Sequence, residues 1–146
     1  MRDQLIFGVG RVLCALPLAD VVETVRPLPV QPLAAGGGVV LGVAVIRGAA
    51  VPVVDTAALL GDPGAEPVRF ITVQTPGGVV AFATGAVVGV RAIAPPSNGA
   101  PPGGGALVEA VGVLDGQPLL FLRPEVALEH AGHLLDGLGG GFRAVA

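Results

Sequence analysis

Residues 43–55 read VAVIRGAAVPVVD, and this stretch gives the strongest indication of the fold. Two apolar runs rich in valine lie on either side of a glycine, which is typical of a β-hairpin. If residues 48–49 form a two-residue turn, Asp55 faces Gly42 and lies far along the hairpin from Arg47. We therefore predict that Arg47 and Asp55 do not form a salt bridge. From the spacing alone, a solvated arginine at the hairpin tip is the simplest interpretation.

Three further segments repeat the arrangement of two apolar runs around a short turn. The turns are predicted at residues 8–10, 76–78 and 115–116. The last of them, Asp-Gly, is the strongest hairpin signal, because both residues tolerate positive φ. Many short strands joined by closely spaced turns are typical of an all-β sandwich or barrel.

One predicted strand, RFITVQT at residues 69–75, shows clear alternation. Ile71 and Val73 fall on one face, and Thr72 and Gln74 fall on the other. This pattern predicts a half-buried strand. Most of the other runs are apolar on both faces, as in a small, tightly wound barrel.

Two helices are predicted beside the strands. Residues 56–60 form a short helical turn, with Asp55 or the residue after it as N-cap and Gly61 as the stop. Residues 124–138 form a longer helix that starts at a proline and carries a rough apolar face. Residues 94–105, APPSNGAPPGGG, are predicted to be a mobile loop.

The composition fits one domain, residues 1–146, with a hydrophobic core. Apolar residues make up 52% of the chain and charged residues 13%, against typical values of about 45–50% and about 25%. All eight basic residues are arginines spread singly along the chain, and the net charge is −3. Nucleic-acid binding requires a clustered basic face, so no nucleic-acid partner is expected.

The sequence also predicts no membrane insertion. Residues 27–46 carry no charge over a membrane-spanning length of about 20 residues. Three prolines and a triple glycine would nevertheless break a helix there. Cys14 is the only cysteine, which excludes a disulfide within the chain and suits a reducing cytoplasm.

No constellation of catalytic residues is visible. A phosphate-binding loop needs a lysine, which the chain lacks. Cys14 could act as a nucleophile only beside a histidine, and His130 and His133 lie on the predicted C-terminal helix, so a buried structural cysteine is preferred. Glu129 and the two histidines share a helical face, but no further metal ligand accompanies them. We predict no enzyme, no cofactor and no metal site. A small-molecule-binding or enzymatic barrel that uses Cys14 and the histidines is the alternative from a different class.

The segment Gly42–Asp55, GVAVIRGAAVPVVD, resembles the central motif of the CheW family of chemotaxis coupling proteins. In that family Gly-Val/Ile-x-Asn-Leu-Arg-Gly is followed by Pro-Val-x-Asp-Leu. The resemblance continues at Leu60–Gly61. Upstream, ALPLADVVETV resembles the family's entry into a Val-x-Glu strand, which supplies Val21 and Glu23 here. The later strands of the family correspond to residues 79–90 and 111–128.

The resemblance implies an all-β fold of two packed, five-stranded, SH3-like barrels. It also implies a short helical turn after Asp55 and a helix near the C-terminus. On this basis we expect one barrel from residues 1–62 with 107–138, and the other from residues 63–106.

The resemblance further implies a non-catalytic adaptor in the cytoplasm, recruited to receptor arrays. It would couple the cytoplasmic tip of a chemoreceptor, which binds in a groove between the barrels, to the regulatory domain of a CheA-type histidine kinase. Other CheW-like proteins are further expected partners. In this interpretation Arg47 meets a carboxylate or helix-end carbonyls of a partner. The residues carried over to partner binding are Val21, Glu23, Gly42, Arg47, Gly48, Val87 and Val90. The residues carried over as structural parts of the motif are Pro52, Asp55 and Gly61.

Three positions depart from the family pattern. Val45 stands where the family has asparagine, Gly85 where it commonly has aspartate, and Arg123 where it has the aspartate of a late Leu-Asp. These departures suggest a diverged member. An adaptor that keeps only one interface, to receptor or to kinase, is the nearest alternative.

Overall fold

The computed structural model describes residues 2–33, 39–62, 64–96 and 107–127. Within these ranges, besides a helical turn at residues 124–127, the chain forms ten β-strands, one 3-10 turn and one short α-helix. In chain order they are β1 (Arg2–Val9), β2 (Val12–Pro17), the 3-10 turn (Leu18–Asp20), β3 (Val21–Val25), β4 (Val40–Ile46), β5 (Ala49–Asp55), α1 (Thr56–Leu59), β6 (Arg69–Thr75), β7 (Gly78–Thr84), β8 (Val87–Ile93), β9 (Val108–Leu114) and β10 (Gln117–Leu122).

The strands form two five-stranded sheets, which confirms the predicted all-β class. Sheet A has the order β8-β1-β2-β10-β9, and sheet B has the order β3-β6-β7-β5-β4. The predicted division of the chain between the barrels is wrong. Sheet B is built from residues 21–84, and sheet A from residues 2–17 and 87–122. Residues 21–55 belong to sheet B because β3 pairs with β6 and β5 pairs in parallel with β7.

Both sheets follow one plan. In each sheet an edge strand, β8 or β3, pairs antiparallel with the first strand of a hairpin, β1–β2 or β6–β7. The second strand of that hairpin pairs in parallel with the last strand of another hairpin, β9–β10 or β4–β5. The β4–β5 hairpin of sheet B corresponds to the β9–β10 hairpin of sheet A, at a constant offset of 68 residues: the turn at 47–48 matches the turn at 115–116. The fold is therefore an internal repeat in which sheet B is inserted as one continuous segment between β2 and β8 of sheet A.

Three hydrophobic clusters explain why so many strands are apolar on both faces. The largest lies between the sheets and includes Phe7, Cys14, Leu16, Ile71, Val73 and Phe82. A second, inside sheet B, includes Ile46, Val53 and Phe70. A third, inside sheet A, includes Ile6, Leu119 and Phe121. A strand that separates two clusters must be apolar on both sides, since each side is removed from water.

This arrangement corrects the predicted alternation of β6. Phe70 faces the interior of sheet B, and Ile71 and Val73 face the cluster between the sheets. Thr72 is buried, at 2% exposure, and of the two predicted polar positions only Gln74 is exposed. β6 is consequently buried on both faces over most of its length.

The β4–β5 turn differs from the predicted one by one residue. Arg47 and Gly48 are its two central residues, with φ of 54° and 78°, and Ile46 faces Ala49. Positive φ at both positions is the signature of a type I′ turn, whose twist suits a two-residue hairpin. Because of the shift, Gly42 faces Val53 rather than Asp55. The predicted turn at Asp115-Gly116 is confirmed, with φ of 51° and 79°.

The short helix after β5 is confirmed as predicted. The Asp55 carboxylate accepts a hydrogen bond from the Ala58 amide at 3.2 Å, so Asp55 is the N-cap of α1. Gly61 follows the helix with φ of 87°. A second helical turn begins at Pro124 and is described as far as Ala127. The rest of the predicted C-terminal helix, with Glu129, His130 and His133, and most of the predicted 94–105 loop lie outside the described residues. Within the described ranges no helix is long and apolar enough to cross a membrane.

Candidate partner-binding surface

Arg47 and Glu23 form a bidentate salt bridge on the surface of sheet B. Arg47 Nε donates to Glu23 Oε1 at 3.0 Å, and Arg47 Nη2 donates to Glu23 Oε2 at 2.7 Å. The guanidinium side chain is 80% exposed, while the glutamate side chain is 22% exposed. Parallel N–H···O bonds of this kind fix the orientation of the guanidinium plane as well as its position.

This pair joins the two edges of sheet B, because Glu23 lies on β3 and Arg47 on the β4–β5 turn. The segment that connects β3 to β4 bridges the same gap: Gln31 and Val43 exchange backbone hydrogen bonds at 2.8 and 2.9 Å. Sheet B is thus curled so that its edge strands approach each other, as in a small barrel.

Each charge stabilises the other. Hydrogen bonds from Arg47 hold the pKa of the Glu23 carboxyl below its ordinary value, and the hydrogen bonds to Glu23 raise the pKa of Arg47 above its ordinary value. Both groups are therefore ionised at neutral pH.

That Arg47 meets a carboxylate supplied by a partner stays a prediction, but such a carboxylate would not be the first that Arg47 meets. Its own chain supplies one, Glu23, which the sequence had indicated only as a separate partner-binding residue. The prediction that Asp55 does not pair with Arg47 is consistent with the structure, in which Asp55 caps α1. Their separation follows from the hairpin register.

Gly42 is a buried part of β4 covered by the chain's own backbone. Its φ is 145°, and a Cβ at this position would collide with the Gln31 carbonyl and lie 2.9 Å from Pro32 Cα. A glycine is required here by close backbone approach, whatever its role toward a partner. Pro52, on the facing strand, is also buried and pairs with Val43.

The three valines predicted to bind a partner are divided by exposure. Val21 and Val87 are half-buried and pack against the cluster between the sheets. Val90 is 49% exposed. Strands β3, β8 and β9 add exposed valines that the sequence did not single out, namely Val22, Val88, Val111 and Val113. The alternation of strands β3, β8 and β9 was the signal that could have found them.

One of the departures from the family pattern, Gly85, has a local structural reason. The Gly85 amide donates to the Gly8 carbonyl at 2.8 Å, and Gly8 donates to the Ala86 carbonyl at 2.9 Å. A Cβ on Gly85 would lie 2.7 Å from the Gly8 oxygen, so glycine allows β7 of sheet B to approach β1 of sheet A. The Arg123 amide donates to the Leu107 carbonyl, a bond any residue but proline can make. Val45 is 69% exposed beside the Arg47 turn.

An apolar groove of about 440 Å³ lies where α1 meets sheet A. Arg11 and Asp62 stand among lining residues that are otherwise apolar: Val9, Val12, Leu59, Leu60, Leu107, Val108 and Leu120. None of the predicted partner-binding residues is among them. The groove and the Arg47 surface are therefore separate features.

In the described part of the chain, Cys14 is not placed as a reactive thiol and no metal cluster is formed. Cys14 is buried, and burial raises the pKa of its thiol to about 12, so its reactive thiolate is suppressed at neutral pH. The described residues contain no cluster of three or more metal-ligating side chains.

Comparison with known protein families matches residues 3–132 to the CheW-like domain. The chain belongs to the CheW-like family. The fold of this CheW-like domain is also that of the scaffolding protein TtCheW from Thermoanaerobacter tengcongensis, known from a crystal structure, with a TM-score of 0.72. The two are 22% identical, and the match covers 84% of this chain and 88% of TtCheW. No curated protein matches the chain.

Proposed function

We propose that this CheW-like domain is a non-catalytic adaptor that couples a chemoreceptor to a CheA-type histidine kinase. In this proposal it binds the cytoplasmic tip of the receptor and the regulatory domain of the kinase, within cytoplasmic receptor arrays that hold further CheW-like proteins. The observation that carries the proposal is the Arg47 guanidinium, fixed by Glu23 and still 80% exposed.

The geometry of the pair leaves Arg47 able to bind a second acceptor. A guanidinium has five N–H donors in a rigid fork, and Glu23 occupies two of them. The remaining donors point away from a carboxylate that already holds the plane in place. A preorganised cation of this kind loses little side-chain freedom on binding, which favours partner carboxylates or helix-end carbonyls.

Apolar side chains accompany the charge. Val22 is the neighbour of Glu23 and is 57% exposed, and Val45 lies two residues before Arg47 and is 69% exposed. Exposed valines close in sequence to the two members of the ion pair supply the apolar part of the mixed apolar and polar contact that protein interfaces use. Val21, Gly42, Gly48, Val87 and Val90 remain predicted contributors; of these, Gly42 would act through the backbone shape beneath the surface.

The second candidate is an adaptor that keeps only one of the two interfaces. Val45 favours it, because an exposed apolar side chain stands where the family carries a polar asparagine, next to the cation. A change of this kind alters one contact surface and leaves the rest of the fold unaffected.

The test is Arg47→Glu, titrated separately against a receptor-tip fragment and a kinase regulatory domain. We expect binding to at least one of them to be lost, because the substitution places like charge against the partner's acceptors and against Glu23. Circular dichroism should remain unchanged, since the turn is exposed.

The matched control is Asp115→Arg, which reverses the charge at the equivalent turn of sheet A. This variant should bind normally. Binding of the unmodified chain to both partners identifies a two-sided adaptor, and its binding to only one supports the one-sided alternative. Undiminished affinity of Arg47→Glu for both partners would refute the role of Arg47.

A further inference from the structure

Thr72 on β6 is hydrogen-bonded to both backbone groups of Glu23. Its Oγ1 accepts from the Glu23 amide at 3.2 Å and donates to the Glu23 carbonyl at 3.2 Å. The contact joins residues 49 positions apart in the sequence. It is a side-chain clamp on the backbone of the residue that holds Arg47.

The clamp sits at an irregularity of the β3–β6 ladder. Val21 faces Val73 and Glu23 faces Thr72, so Val22 is an extra residue without a partner on β6. A β-bulge of this kind interrupts the ladder and redirects the side chains beside it. Val22 is turned outward, at 57% exposure, and the Glu23 carboxylate is turned toward Arg47.

A threonine hydroxyl is an unexpected choice at this position for packing alone. Thr72 is 2% exposed, and its neighbours Phe70, Ile71 and Val73 are fully buried apolar residues. Burying a hydroxyl costs free energy unless it finds partners. Valine has the same shape and would fill the space without that cost, so the hydroxyl is explained by the two bonds it makes to the bulge.

We propose that Thr72 is a positioning residue for the partner-binding surface. Its hydroxyl fixes the backbone of Glu23 at the bulge, the Glu23 carboxylate then fixes the Arg47 guanidinium, and Val22 is presented beside them. The significance of this chain of contacts for partner binding rests on the proposed function, whereas the positioning of Glu23 does not.

The test compares Thr72→Val, which removes the hydroxyl at constant shape, with Thr72→Ser, which keeps it. Thr84→Val is the matched control: Thr84 is also buried in sheet B, and its hydroxyl donates to the Gly85 carbonyl at 2.9 Å, away from Glu23. The primary measurement is the pKa of the Glu23 carboxyl by NMR titration. Binding to the receptor-tip fragment and to the kinase regulatory domain is measured on the same variants.

We expect the pKa of Glu23 to rise toward its ordinary value in Thr72→Val and to stay low in Thr72→Ser and Thr84→Val. A general loss of stability would not produce this pattern. Partner affinity should fall by about three- to tenfold in Thr72→Val only, the range expected for one or two hydrogen bonds. In an Arg47→Ala background, Thr72→Val should weaken binding no further.

An unchanged pKa of Glu23 in Thr72→Val overturns the positioning role, and so does an equal rise of that pKa in Thr84→Val. A raised pKa with undiminished affinity supports the positioning of Glu23 and counts against the proposed use of the pair in partner binding. The two hypotheses therefore fail in different measurements.

Discussion

The β4–β5 and β9–β10 hairpins are two versions of the same structure with opposite charges. In each hairpin the turn consists of two residues with positive φ, and the second of them is glycine. These residues are Arg47-Gly48 in one hairpin and Asp115-Gly116 in the other. In sheet B the turn carries the cation and β3 the anion. In sheet A the turn carries the anion, and Arg91 on β8 carries the cation.

The two ion pairs differ in geometry. Arg47 and Glu23 make two hydrogen bonds, the shorter at 2.7 Å, and Glu23 is mostly shielded. Arg91 and Asp115 make one contact of 3.4 Å, with side chains 53% and 70% exposed. Exposed single contacts contribute little to stability. The hairpin of sheet A therefore shows that this type of hairpin can close its sheet without a strong ion pair at the turn.

The comparison also shows that arginine is a costly residue for its turn. Aspartate tolerates positive φ, whereas arginine is rarely found there. Sheet A uses the favourable residue and sheet B the unfavourable one, although both turns have almost the same φ angles. A strained residue that the fold does not need is a reason to look for function.

The largest expected effect concerns Gly42 and its equivalent in sheet A, Ala110. Gly42→Ala should destabilise the protein by about 2–5 kcal/mol, because the new Cβ meets the Gln31 backbone at a strained φ. Ala110→Gly should cost only about 1 kcal/mol. Urea unfolding of both variants measures the difference, and a tolerated Gly42→Ala would show that the Gln31 segment can move away.

A charge swap tests whether polarity matters. Glu23→Arg with Arg47→Glu gives sheet B the polarity that sheet A has naturally. We expect the double variant to keep its fold and an internal ion pair, since both orders occur in the same plan, and to lose partner binding. Calorimetric titration and thermal melting measure the two properties. A double variant that binds like the unmodified chain would make the pair purely structural.

The smallest effects come from neutralising the anion of each pair. Glu23→Gln should lower the Tm at pH 7 by a few degrees, whereas Asp115→Asn should change it by about 1 °C or less. Because the pKa of Glu23 is lowered in the folded chain, its contribution is complete above the ordinary glutamate pKa of about 4.3. It is lost as the pH falls through the lower folded value.

Scanning calorimetry across that pH range should show the Tm curves of Glu23→Gln and the unmodified chain converging at the acid end. Equal Tm losses for the two variants at pH 7 would contradict the difference in strength between the pairs.

Local signals in the sequence predicted much of the fold. Asp115-Gly116 and the Asp55 cap were predictable because turn and cap chemistry depend on a few adjacent residues. The Arg47-Gly48 turn was missed by one residue because arginine is not expected at positive φ. The division of strands between the sheets was missed because β5 pairs with β7, and β10 with β2, in parallel. Parallel pairing of strands that are not adjacent in the chain gives no signal in the local sequence.

The candidate site was only partly predictable for a similar reason. Arg47 and Glu23 were identified separately through the family resemblance, but their pairing depends on the closure of sheet B. Thr72 was placed on a solvent-exposed face because alternation assumes that one side of a strand contacts water, whereas β6 is buried on both faces over most of its length. The repeat at an offset of 68 was hidden because few residues besides the turn glycines coincide.

The insertion of sheet B between β2 and β8 of sheet A has a consequence for synthesis of the protein. All strands of sheet B lie within residues 21–84, so they leave the ribosome as one continuous segment. In sheet A, β2 cannot complete its pairing until β10 has been synthesised, because Cys14 faces Leu120. We therefore expect sheet B to fold first on the ribosome. Until the last strands emerge, the apolar first hairpin is left incomplete, and this interval is when the chain most needs protection from aggregation.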